Sequence, residues 1–139
     1  MNKFFKPLFL ICLAALIYSS CSSKENPKGI ESYRGTWCDK DNPIDEIFTI
    51  NSDGSIIFKD RNETKINDIT KNGNTSYSFY YGEENITPSG VKMKVRAKLT
   101  VNFSSNAEGK LTAIGEGHLS DGNIINIPIP QLEFNLIKK

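Results

Sequence analysis

The longest unbroken pattern in the chain is "VKMKVRAKLTVNF", residues 91–103. Val91, Met93, Val95, Ala97, Leu99, Val101 and Phe103 fall on one side, and Lys92, Lys94, Arg96, Lys98, Thr100 and Asn102 on the other. A period of two turns alternate side chains to opposite faces of a strand; on a helix the same residues would scatter around the axis. The pattern predicts a long strand with one buried and one wet face. A strand of that length asks for a strongly curved sheet or a barrel.

Shorter patterns flank it. "DEIFTINSDGSIIFKD", residues 45–60, reads as a hairpin. A two-residue Asp53-Gly54 turn would set Phe48 opposite Lys59 and mix the faces. A three-residue loop, Ser52-Asp53-Gly54, pairs Ile50 with Ile56 and Phe48 with Phe58, with Gly54 in the left-handed position of a bulge. Residues 64–81 predict a second hairpin around Asn72-Gly73, with Tyr77, Phe79 and Tyr81 in alternation. "GEENITPSG", residues 82–90, reads as a polar loop. In "KLTAIGEGHL", residues 110–119, the alternate set is Leu111, Ala113, Gly115, Gly117 and Leu119. Asp121-Gly122 marks a turn, and Leu132, Phe134 and Leu136 share a face of the last segment. Pro128 and Pro130 cannot donate to a ladder, so they mark a bend or an edge. No segment beyond the N-terminal region has helical periodicity. The fold class is all-β: an antiparallel meander of eight or nine strands closing into a small barrel, with a β-sandwich as the alternative.

The first 21 residues, "MNKFFKPLFLICLAALIYSSC", follow another logic. Lys3 and Lys6 precede an apolar run from Leu8 to Tyr18, the length of a signal-peptide core and short for a membrane span. Ser19 and Ser20 then lead to Cys21. This resembles the lipobox of bacterial lipoproteins, with Tyr18 where that family prefers Leu. The resemblance implies that Cys21 carries a diacylglyceryl group and becomes the first mature residue. The expected organisation is a signal-peptide helix over 1–20, a polar tether over 21–31 and a β domain over 32–139. The resemblance further implies a bacterial cell envelope protein, anchored to a membrane through Cys21, the outer one where the source has one. About ten tether residues extend roughly 30 Å at most, so the domain would sit close to the membrane.

Composition adds limits. The 139-residue chain is 38% hydrophobic and 10% aromatic, which fits one folded domain. Its net charge is +1, and loss of Lys3 and Lys6 with the signal takes it to −1. A near-neutral balance does not support nucleic-acid binding. With Cys21 used and Cys12 inside the apolar run, Cys38 is left alone, and its expected role is that of a small buried apolar residue.

Gly35-Thr36-Trp37 stands after the tether and before the first hairpin, and Trp37 is the only tryptophan. This resembles the Gly-x-Trp motif at the first strand of lipocalin-like families, where the Trp plugs one end of the barrel. The resemblance extends over the all-β meander of residues 32–139, which is short for a full lipocalin and lacks its cysteine pairing. Full lipocalins set a basic residue of the last strand over the Trp; here only Lys138 and Lys139 stand near the end. The implied function is non-enzymatic, with a small apolar ligand held in the barrel. The ligand-pocket candidates are Trp37, Val95, Ala97, Leu99, Ala113, Gly115 and Gly117, the small inward residues leaving space. The alternative is a packed-core surface module that acts as an adhesin or as the partner of another envelope protein.

Little else carries chemistry. His118, the only histidine, falls on a polar face with Lys110, Thr112 and Glu116 and has no nucleophile beside it by motif. "DKDNPIDE", residues 39–46, lacks the order of a calcium loop. No catalytic residue, metal ligand or cofactor is assigned. Lys92, Lys94, Arg96 and Lys98 make a cationic stripe, read as a solvated exterior that discourages strand aggregation, with contact to anionic lipid headgroups as the alternative.

Overall fold

The computed structural model describes residues 29–139, with residues 128–131 described for their backbone only. The signal segment, Cys21 and most of the tether lie outside the described residues. Nine antiparallel strands form one sheet: β1 (Gly35–Asp39), β2 (Glu46–Ile50), β3 (Ile56–Phe58), β4 (Lys65–Ile66), β5 (Ile69–Lys71), β6 (Ser76–Ile86), β7 (Met93–Phe103), β8 (Glu108–Leu119) and β9 (Ile124–Lys138). Their order is β4-β3-β2-β1-β9-β8-β7-β6-β5. Each strand therefore neighbours its successor, with one exception and one added pair. The first and last strands pair, and β4 and β5, adjacent in the chain, do not. The sheet is a barrel, closed except at the β4–β5 seam.

Side chains bridge that seam. The Tyr81 ring of β6 stacks on Phe58 of β3 at 4.6 Å between centroids, and its hydroxyl donates to Asp60 Oδ2 at 2.6 Å. Asp60 also accepts from the Thr64 hydroxyl at 2.6 Å and from the backbone N–H groups of Asn62 and Thr64. One carboxylate thus shapes the β3–β4 turn and ties it to β6. These bonds, the Thr64 hydroxyl's first and the Tyr81 hydroxyl's next, hold the Asp60 carboxyl well below its ordinary range.

The first hairpin has the expected register, with Ile50 opposite Ile56 and Phe48 opposite Phe58. Gly54 has φ +81°, Gly54 N–H donates to Asn51 O and Asn51 N–H donates to Ser55 O. The second hairpin differs from expectation. Its first arm is only β5, while Lys65 and Ile66 turn back to pair with β3. The polar pair Asn67-Asp68 divides the two. Residues 82–86 are not a loop either. A bulge at Gly82 (φ +68°) and Glu83 shifts the register, and β6 continues with Glu84 opposite Val95 and Ile86 opposite Met93. The long alternation starts as a strand at Met93, and Val91 is 50% exposed outside it. Both prolines of β9 fall where its register with β8 breaks, between Ile127 opposite Gly115 and Leu132 opposite Ala113.

Strand lengths shape the whole. The strands β6 to β9 run 11 to 15 residues, and β1 to β5 only 2 to 5. All nine share one end, the base, where Ile30–Tyr33 forms a 3-10 turn. Ile30, which the sequence reading places in the tether, is buried there, and Tyr33 stacks on Phe103 at 3.9 Å. At the other end the upper halves of β6 to β9 project beyond the short strands as a four-stranded overhang. The core follows this division. Phe48, Ile50, Ile56, Tyr77, Phe79, Val101, Phe103, Leu111 and Leu136 form one buried cluster with Trp37 towards the base. Met93, Val95 and Ala97, on the overhang, are only half-buried.

Candidate functional site

Trp37 is fully buried, and its indole N–H donates to Tyr33 O at 2.9 Å. Phe103 and Phe48 flank the ring. Lys138 of the last strand covers it. In the β1–β9 pairing Lys138 stands opposite Trp37, with Nζ 5.6 Å from the ring centroid. The stem of Lys138 crosses Gly35, which has φ +130°; a Cβ there would lie 2.9 Å from Lys138 Cδ. Glycine is required twice over, for the backbone angle and for the close approach.

Six of the seven pocket candidates form one row on the inner face, with Leu99 opposite Ala113, Ala97 opposite Gly115 and Val95 opposite Gly117. Trp37, Leu99 and Ala113 are buried in the cluster at the closed part of the barrel. Val95, Ala97, Gly115 and Gly117 lie higher, on the overhang, where Val95 pairs with Gly117 and Ala97 with Gly115. The gap over Gly117 is filled. An added Cβ would meet Met93 Sδ at 3.0 Å, Ile125 at 3.1 Å and Ile127 at 3.2 Å. On the same inner face Ile125 and Leu132 are 41% and 50% exposed, so the overhang leaves an apolar face without a neighbouring strand.

The outer face of the overhang holds a polar network that alternation alone does not reveal. Glu116 is buried there, accepting from the Tyr80 hydroxyl at 2.7 Å, with His118 Nε2 at 3.2 Å and Lys98 Nζ at 3.6 Å. Burial pushes the Glu116 carboxyl up, but the Tyr80 bond and the Lys98 and His118 contacts outweigh it and leave it below its ordinary value. Glu83, from the bulge, binds Lys94 at 2.8 Å and Arg96 at 2.9 Å. The Lys94 bond leads in holding Glu83 below its ordinary value. Arg96 also lies over the Tyr80 ring at 5.5 Å. Three of the four cations of the stripe are therefore paired, and Lys92 has no ion pair among the described residues. The alternation places Tyr80 and Glu116 on the wet face but does not announce that Glu116 would be covered.

Among the open concavities of the described surface are three that none of the seven candidates lines. One of about 350 Å³ lies at the base between Ile30, Gly54, Asn67 and Tyr77. One of about 580 Å³ borders Lys40, Phe103, Glu108 and Asn135. The third, about 590 Å³, lies at the top of the overhang beside Lys94, Arg96 and His118. Among the described residues no three His, Cys, Asp or Glu side chains gather as a metal site, and Cys38 is buried and free. No helix among them is long and apolar enough to cross a membrane. The chain matches no known protein family, curated protein or solved structure.

Proposed function

We propose that this chain is a bacterial lipoprotein, anchored in the cell envelope through Cys21, whose lipocalin-like domain works without catalysis by presenting its exterior. The observation that carries this reading is the packing between Trp37 and Ala113, where a ligand carrier would need room and the domain instead has one continuous cluster. Entry of the chain at the base directs the overhang away from the anchored end. The anchor is tested by metabolic labelling with a fatty-acid analogue. Labelling is expected in the parent and absent in Cys21→Ser, because the thiol is the only lipidation handle at the processing site. A labelled mutant overturns the lipoprotein reading.

A second reading rests on the exposed inner face of the overhang. Ile125 and Leu132, beside the half-buried Val95 and Ala97, offer an open apolar surface to a small apolar ligand. Titration with a fluorescent fatty acid separates the readings: saturable uptake favours the ligand, and no uptake favours the packed module.

A further inference from the structure

We propose that the concavity at the top of the overhang binds a phosphate- or sulfate-type oxyanion. This deepens the reading of the domain as a module that acts through its exterior, and rests on it.

Side-chain donors converge from three strands and their connections. Asn85, Lys94 and His118 stand directly opposite one another across β6, β7 and β8, so the ladders fix their spacing. Arg96, Lys92, Thr87 and Ser120 add to the polar lining, and no acidic side chain is part of it. The volume of about 590 Å³ has room for an oxyanion carrying an organic group.

Charge favours the same ligand. The outer face carries Lys92, Lys94, Arg96 and Lys98 against Glu83 and Glu116, a surplus of cations. The two carboxylates orient the cations without neutralising the set. Glu83 holds Lys94 and Arg96 side by side, and Glu116 holds His118 and lies near Lys98. Lys92 has no ionic partner among the described residues.

One donor is left over. Arg96 gives Nη2 to Glu83, but its Nε–H is buried and meets no acceptor. That atom is closed to solvent, so an oxyanion in the concavity meets Arg96 through the charge of its guanidinium and not through Nε.

The test is isothermal titration of the full chain in mild detergent at low salt, with inorganic phosphate and, separately, glycerol 3-phosphate. Saturable binding weakened by salt is expected. Arg96→Gln, checked for folding by circular dichroism, should weaken it about tenfold, the loss of one charge-assisted contact. Lys92→Gln, which breaks no ion pair, should weaken it too. Lys110→Gln, with the same charge change at a distant pair, should not. Tighter binding of glycerol 3-phosphate identifies a lipid-type headgroup as the source, and equal binding identifies the free ion. A flat titration, or binding indifferent to both Arg96→Gln and Lys92→Gln, overturns the site. A parallel fatty-acid titration keeps the two readings apart: uptake there overturns the packed-module reading, whereas a flat anion titration without uptake overturns the oxyanion site alone.

Discussion

Lys138 stands directly opposite Trp37, and its ammonium lies 5.6 Å from the centre of the indole ring. The contact joins the last strand to the first at the base of the barrel, over a glycine that leaves room for the lysine stem. It closes the barrel where the chain enters the fold.

Removing the ammonium while keeping the stem, as in Lys138→Met, should lower stability by about 0.5–1 kcal/mol, the scale of a cation–π contact near the surface. Gly35→Ala should cost more, about 1–3 kcal/mol, because it adds backbone strain to the clash with Lys138. Pairing Gly35→Ala with Lys138→Ala should cost less than the sum, since the clash is removed and the strain is not. Chemical denaturation of the four proteins measures the coupling. Strict additivity would show that the stem does not press on position 35.

Trp37→Ala should destabilise by about 3–5 kcal/mol through lost area and a residual cavity. Circular dichroism must report it, because the substitution removes the only tryptophan. Trp37→Phe should recover part of the loss while leaving Tyr33 O without the indole donor.

Phe48→Ala should also cost about 3–5 kcal/mol, the range for a fully buried phenylalanine, and Phe58→Ala clearly less. The two face each other, but Phe58 is only partly buried, against Phe48 and Tyr81. Equal losses in urea denaturation would mean that the seam covers Phe58 more completely.

Ala113→Phe should lower stability by about 1–3 kcal/mol through overcrowding. Unchanged stability, measured by denaturant titration, would reveal room beside Ala113 and revive the ligand carrier.

Acid should loosen the seam. The Asp60 carboxyl is held below its ordinary value, so the stability it contributes is complete above its unfolded value near about pH 4 and is lost as pH falls towards the folded one. Asp60→Asn should flatten the loss of stability below about pH 4, and Tyr81→Phe should weaken it. Trp37 fluorescence followed through acid titration supplies the measurement, and identical acid profiles in all three proteins would refute the assignment.

Legibility in the sequence followed the strength of local patterns. The 93–103 strand announced itself because one face is apolar and the other polar along its whole length. The Ile50–Ile56 register was readable because the alternative loop would have put Lys59 in the core. Residues 82–86 hid their strand because Gly82 and three acidic or amide residues resemble a loop when no partner strand is in view. The break at Asn67-Asp68 is decided by which neighbour each half finds, and pairing is a non-local choice. Space at the candidate pocket is decided in a related way. Small residues at 113, 115 and 117 mark where space is needed, but Met93, Ile125 and Ile127, brought over Gly117 by their own ladders, decide whether it stays empty.

The seam between β4 and β5 gives the molecule a particular cyclic character. Backbone pairing runs unbroken from Lys71 back through β6 to β9, across to β1 and on to Ile66, so the ladder's two ends lie next to each other in mid-chain. The last residue lies against the first strand instead, with Lys139 N–H bonded to Thr36 O. A permuted gene that opens the chain between Asn67 and Asp68 and joins Lys139 to Gly29 through a short linker would then keep every strand pair. Its new termini would fall at the one border where neighbouring strands already go unpaired.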